Sequence, residues 1–289
     1  MPAVALGLLS ALVYGSADFV GGVAARRIGA LRATAVGALS GLALLLLSLP
    51  LVGGAWTPAA VGWGALSGIV GSVAVFLLYA CLAIGPMSIL SPLTAVVSAI
   101  VPLTWGLIGG DRFAPVGYVA LGVALIAVVL VGFVPERGAV RPSGRALLMA
   151  VGAGVFIGTF LILLDQTPAD SGVVPLIANR AVNGAIMWTV VALVVVRART
   201  RTAEAPGGAA FTRRGTGLAA ASGALDASAN VLILIGLRAG DLSTMSVLVA
   251  LYPAGTILLA AIVLRERIAP VQWIGLALAV AAAGMLAAA

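Results

Sequence analysis

Asp226 stands near the middle of a long apolar run, with Gly223 about one turn before it and Asn230 one turn after it on the same helical face. An ionisable group at membrane depth is costly and is a functional candidate by default. Asp226 is therefore a candidate to take and release a proton, and equally a candidate to make one structural hydrogen bond to a neighbouring helix. Asp18 lies past the midpoint of the first apolar run, one turn after Tyr14. Gly15 and Gly22 leave room there for another helix or a substrate. Asp18 is also close enough to Arg26 and Arg27 to serve as their partner. Arg180, with Asn179 beside it and Asn183 close to one turn on, offers a planar two-pronged donor to a substrate carboxylate. It can equally extend to the outer surface or pair with Asp165. Tyr79 and Tyr252 can stack on a substrate or pack as ordinary aromatics. Pro92, Pro102 and Pro253 break the backbone ladder of their runs, as hinges or as the proline common in membrane helices.

These residues need elements that hold them in an apolar surrounding, and the composition supplies one. The 289-residue chain is 62% hydrophobic and 9% charged, with mean hydropathy +1.22. A soluble domain carries about 25% charged residues. A surface this poor in charge cannot face water, so the chain is an integral membrane protein. Histidine is absent and Cys81 is the single cysteine, which excludes disulfides and Cys/His metal clusters. Cys81 itself reads as a small packing residue. Met-Pro-Ala-Val at the start lacks a basic leader region, so the first run is expected to stay as a span.

The apolar runs are continuous rather than alternating, and a helix needs about 20 such residues to cross. Ten fit: 4–25, 32–53, 59–83, 88–109, 115–134, 145–165, 173–196, 216–237, 243–264 and 270–288. The intervening loops are short except 197–215, which reads as a flexible polar linker. Gly64, Gly68 and Ser72 form a small-residue stripe expected to pack against another helix.

The chain is one unit written twice. Gly110-Asp111-Arg112-Phe113-Ala114-Pro115 returns 155 residues later as Arg265-Glu266-Arg267-Ile268-Ala269-Pro270. Aligning 80–124 with 235–279 gives 14 identities in 45 positions, against roughly 5 or 6 by chance in so biased a composition. Gly85, Ser88 and Ser91 match Gly240, Ser243 and Ser246, and Gly15 aligns with Gly158 at a shorter offset. The two units are 1–138 and 139–289, five spans each. Five is odd, so the second copy must enter from the opposite face. The fold expected is an all-α membrane protein of ten helices in two inverted five-helix repeats, a layout found in transporters with the site between the halves.

All sixteen basic residues are Arg. The loops after spans 1, 5, 7 and 9 hold 13 of them, while Arg112 and Arg238 are the two in loops of the other face. The positive-inside rule makes the rich face cytoplasmic and puts both termini outside. No basic-aromatic stripe suggests nucleic acid.

The repeated five-helix unit, the charged joint before the last helix of each half and Tyr252-Pro253-Ala254-Gly255 resemble the EamA family of the drug/metabolite transporter superfamily. Tyr14-Gly15-Ser16-Ala17-Asp18-Phe19-Val20-Gly21-Gly22 and Phe-Leu-Ile-Leu-Leu-Asp at 160–165 look like a bacterial branch of it. The resemblance implies a multi-pass protein of the bacterial cytoplasmic membrane. It implies export or exchange of small metabolites such as amino acids, often against protons, through a cavity lined by both halves. Many members are expected to have both termini in the cytoplasm, and the Arg count here departs from that.

The leading reading is a secondary active transporter working by alternating access, with Asp226 or Asp18 exchanging a proton against a small polar metabolite. Its partners would be that metabolite, protons and the bilayer, as a monomer or a homodimer. The chain has no Lys and no phosphate-cradling loop, so ATP does not drive it directly and no cofactor is expected. A lipid or lipid-linked-sugar translocase is the alternative, and would need a lateral opening with Arg at headgroup level. A membrane enzyme would need paired carboxylates, His or a nucleophile–base pair, whereas the deep acids are solitary in the sequence. A channel lacks its ring of like charges.

Overall fold

The structure, a computed structural model, describes residues 2–84, 87–132, 142–200, 211–263 and 269–288. The joint at 264–268, Gly85 and the linker residues 201–210 lie outside the described residues, as do the side chains of Tyr79, Ser88, Ser91 and Pro92. Among the described residues there is no strand. The first half holds α1 (Pro2–Ile28), α2 (Ala30–Val52), α3 (Pro58–Ile84), α4 (Met87–Gly109) and α5 (Pro115–Gly132). The second holds α6 (Gly144–Asp165), a 3-10 turn (Ala169–Ser171), α7 (Val174–Thr200), α8 (Arg213–Ala239), α9 (Leu242–Val249), α10 (Tyr252–Val263) and α11 (Pro270–Ala288).

Large apolar side chains point outward and small ones inward. Leu51 is 90% exposed and Ile108 85%, while Ala24, Ala35, Ala95 and Ala153 are fully buried. This is the pattern expected where lipid is as apolar as Leu and association depends on close backbone approach. Gly15 of α1 faces the backbone of α10 at Tyr252 and Gly255, so closely that any Cβ would collide. Gly223 of α8 meets Gly37 of α2 in the same way. Gly64 and Gly68 lie against Pro175 and Asn179 of α7, which makes the α3 stripe a packing face as expected.

The halves interleave. The main contacts pair α1 with α8 and α3 with α6, α2 with α8 and α3 with α7, and α1 with α9 and α10 as α4 with α6. Each pairing maps onto its partner when the first-half helices are exchanged for their second-half counterparts. The remaining large seams, α5 with α11, α2 with α7 and α4 with α9, map onto themselves.

Two expectations need correction. The ninth run is not one helix: it stops at Val249 and resumes at Tyr252, with Ala250 and Leu251 as turn residues between. Pro253 has no N–H for the carbonyl four residues back and its ring crowds that carbonyl, so the ladder fails just before it. By contrast α4 runs through Pro92 and Pro102 as a single helix. The Pro102 ring packs against Gly158 of α6, which also lies against the carbonyl of Ser98 that the proline cannot engage. The linker is also shorter than 197–215, because α7 continues to Thr200 and α8 begins at Arg213. Arg and Ala are good helix formers, and nothing in Arg197-Ala198-Arg199-Thr200 stops the helix.

Candidate functional site

Close packing of α8 on α2 sets the site. With no side chain at Gly41, the Nε of Arg180 comes within 3.6 Å of where a Cβ would stand, and Arg180 crosses α2 at that point. Arg180 lies in the second turn of α7 and Asp226 at the middle of α8, and the two form an ion pair through Nη2 and Oδ2. Their side chains are 15% and 21% exposed, so the pair is sheltered yet reachable. Either charge alone costs about 3 kcal/mol at the centre of a spanning helix, so one contact offsets two penalties. Arg180 therefore neither extends to the surface nor pairs with Asp165, and Asp226 is not solitary but accepts from Arg180.

Asn230 completes the group. Its Nδ2 donates to the Asp226 carbonyl at 2.8 Å and to the Asp226 carboxylate at 3.3 Å. Both partners are acceptors, so the amide cannot be turned over without setting oxygen against oxygen. That leaves Asn230 Oδ1 buried, with no hydrogen-bond partner among the described residues. An unmet buried acceptor costs about 1–3 kcal/mol.

α1 brings the next residues. Ser222 of α8 donates to the Ala17 carbonyl at 2.8 Å and fixes the register of α1 on α8. Tyr14 then stands edge-on to Tyr252, the first residue of α10, with ring centroids 5.7 Å apart at 63°. Tyr14 lies within electrostatic reach of Arg180, and Asp18 within reach of Tyr252. Asp18 is exposed on α1, and among the described residues it forms no ion pair with Arg26 or Arg27. Tyr14, Asp18, Arg180, Asp226, Asn230 and Tyr252 thus gather on α1, α7, α8 and α10, beside the interruption ahead of Pro253.

Asn183 sits elsewhere. It donates to Ser72 at 3.1 Å, as Asn179 does to Ser67 at 2.8 Å, so both seal the seam between α3 and α7. Pro102 faces α6, away from this group. No cluster of His, Cys, Asp or Glu able to hold a metal occurs among the described residues.

Sequence reasoning missed the ties on the Arg-poor face. Asp111 reaches across to α9, accepting from the Ser243 hydroxyl at 2.6 Å and its N–H at 3.2 Å. Arg238 clasps the loop before α7, donating to Ser171 Oγ at 2.9 Å and to the carbonyls of Gly172 and Pro168 at 3.2 and 3.3 Å. The same loop pairs through its backbone with the α2–α3 connection, Ala55 N–H donating to Asp170 at 3.0 Å. The repeated acidic joint and the offset match of Ser243 marked two of these residues, but not their partners.

Comparison with known proteins adds a family. A solved structure entitled "Crystal structure of protein" is similar over 99% of this chain and 98% of its own, with TM-score 0.72 and 17% sequence identity. That likeness shows a shared fold. No curated protein matches the sequence. The model of the EamA-like transporter family matches residues 144–288, the whole second half from the start of α6. Together with nine apolar spans of membrane length and a shorter apolar helix, Leu93–Gly109, among the described residues, this match places the chain in the EamA-like transporter family.

Proposed function

We propose that this multi-pass membrane protein is a secondary active transporter, an exporter or exchanger of small polar metabolites such as amino acids, working by alternating access with proton coupling. The observation that carries the reading is the Arg180–Asp226 ion pair, held at membrane depth beside an interrupted helix where α1 and α2 of one half meet α7, α8 and α10 of the other. Discontinuous helices and membrane-depth charges at the junction of two repeats are the parts from which such carriers build their sites. In this reading the repeats are 1–138 and 139–289, oppositely inserted, and they rock about that junction. The Arg distribution supports a cytoplasmic rich face and external termini in a bacterial plasma membrane. Ten spans suffice to enclose a cavity in one chain, so a monomer can carry the function, alone or within a homodimer.

The test is pH-jump uptake and counterflow in proteoliposomes with a pooled metabolite library, for wild type and Asp226→Asn. Movement that follows the proton gradient and loses that dependence in the variant supports the reading. Gradient-driven movement that survives the substitution removes Asp226 from coupling. No movement of any solute overturns the reading in favour of a lipid or lipid-linked-sugar substrate.

A further inference from the structure

Resting on the transporter reading, but with proton and substrate bound together rather than in exchange, we propose that Asp226 occupies the place of a substrate carboxylate on Arg180, so that the site exchanges one carboxylate for another and takes up one proton for each carboxylate ligand it binds.

A guanidinium carries five N–H donors in a planar fork that matches a carboxylate on two nitrogens. Here one nitrogen, Nη2, is engaged by one carboxylate oxygen of Asp226. The other two nitrogens have no hydrogen-bond partner among the described residues, and none of them is a fully buried unpaired atom. The fork is therefore half used, on a side chain that keeps 15% exposure. Asp226 is a single-point ligand that a two-point carboxylate can outcompete.

A displaced Asp226 cannot stay charged. The charged and titratable groups around it are Arg180 from α7, Tyr14 and Asp18 from α1 and Tyr252 from α10, with Asn230 on its own helix. Arg32 of α2, Asp165 of α6 and Asp241 ahead of α9 stand at or just beyond helix ends. With Arg180 given to the ligand, Asp226 would lose the one cation it pairs with. The carboxylate instead takes a proton from the aqueous side, becoming a neutral acid whose O–H needs an acceptor. Asn230 Oδ1 is such an acceptor, buried and without a partner. The Asn230 amide stays in place, its Nδ2 held by the Asp226 carbonyl, and the protonated Asp226 side chain turns to Oδ1, so one amide serves both protonation states of Asp226. With an anionic ligand such as lactate the charges balance, an anion and a proton entering together, while a zwitterion such as alanine brings its own ammonium in addition.

Linkage gives the test. Binding that takes up one proton weakens about tenfold for each pH unit of increase while Asp226 starts ionised. Purified protein in nanodiscs is titrated with alanine, lactate and methylammonium between pH 6.5 and 8.5, with proton uptake followed by a dye in weak buffer. Alanine and lactate are expected to bind with this slope and close to one proton each, and methylammonium to show neither. In Asp226→Asn, with no carboxylate to displace, the two carboxylate probes still bind and the slope vanishes. Carboxylate binding with a flat pH dependence in the wild type overturns the proposal, as does loss of all binding in a folded Asp226→Asn. Absence of binding by both carboxylate probes overturns it as well. If the variant does not fold, the wild-type slope and proton count decide alone. Counterflow of the bound probe in proteoliposomes separates the two readings: binding with the expected slope but no movement sinks the transporter and leaves the exchange site standing.

Discussion

Arg180 and Asp226 lie 46 residues apart in the sequence and meet as an ion pair between α7 and α8, with Gly41 of α2 leaving the space in which they do so. Either residue alone is costly at that depth. Arg180→Gln strands a sheltered carboxylate and is expected to cost about 3 kcal/mol of stability. Adding Asp226→Asn should recover at least half of that loss. Thermal unfolding in detergent across the double-mutant cycle measures the coupling. A double variant whose loss equals the sum of the two single losses would show that the pair contributes nothing.

The short α9 depends on two carboxylates at its N-terminus. Asp241 caps it through the Thr244 N–H at 2.6 Å, and Asp111 arrives from the other half onto Ser243. Eight residues make few internal hydrogen bonds, so the caps and the helix dipole matter more here than in a long span. Asp111→Asn should destabilise by about 1 kcal/mol, and Asp111→Ala by somewhat more. A melting temperature unchanged in both would mean that α9 is held by packing alone.

Close helix approach gives a matched pair of substitutions. A Cβ at Gly223 would collide with the Gly37 backbone and the Ser40 hydroxyl, whereas a Cβ at Gly22 meets nothing within 4 Å. Gly223→Ala is expected to lose about 1–3 kcal/mol by forcing α8 from α2. Gly22→Ala should be neutral or gain up to about 1 kcal/mol from helix propensity. Equal effects would contradict the packing described for α2 and α8.

Orientation is open to cysteine labelling because Cys81 is the single cysteine and is buried. In a Cys81→Ala background, Ala169→Cys lies on the Arg-poor face and Phe211→Cys on the Arg-rich face. An impermeant maleimide applied to intact cells should label the first, and the second after permeabilisation. The reverse pattern would place the Arg-rich face outside, against the charge rule that set the topology.

Much of this was legible in the sequence, because the bilayer imposes length and composition on each span. The termini of α3, α4, α6 and α11 fall within one residue of the expected runs. Arg180, Asp226, Asn230, Tyr14, Asp18 and Tyr252 stood out because polar groups are expensive at depth. What the sequence could not supply was their assembly. Asn183 is also polar and lies close to one turn from Arg180, but it points a different way around α7 and spends its amide on Ser72. Periodicity cannot distinguish the two until the neighbours of α7 are known. Nor does the presence of proline show which helices stop. Pro102 has a glycine of α6 to pack against and α4 continues, while the run before Pro253 ends two residues early.

That interruption makes the two halves mechanically unlike. Ala250 and Leu251 correspond, at the offset of 155 residues, to Ala95 and Val96, which lie inside the unbroken α4. The molecule therefore has a rigid rod in one repeat where the other has a jointed one, with Tyr252 at the joint and Gly15 pressed against it. A pair of perfectly equivalent repeats would yield two end states of equal energy, each the mirror of the other. In the proposed alternating-access cycle, a joint on one side only makes those two end states unequal, so the empty carrier would have a preferred side on which to wait.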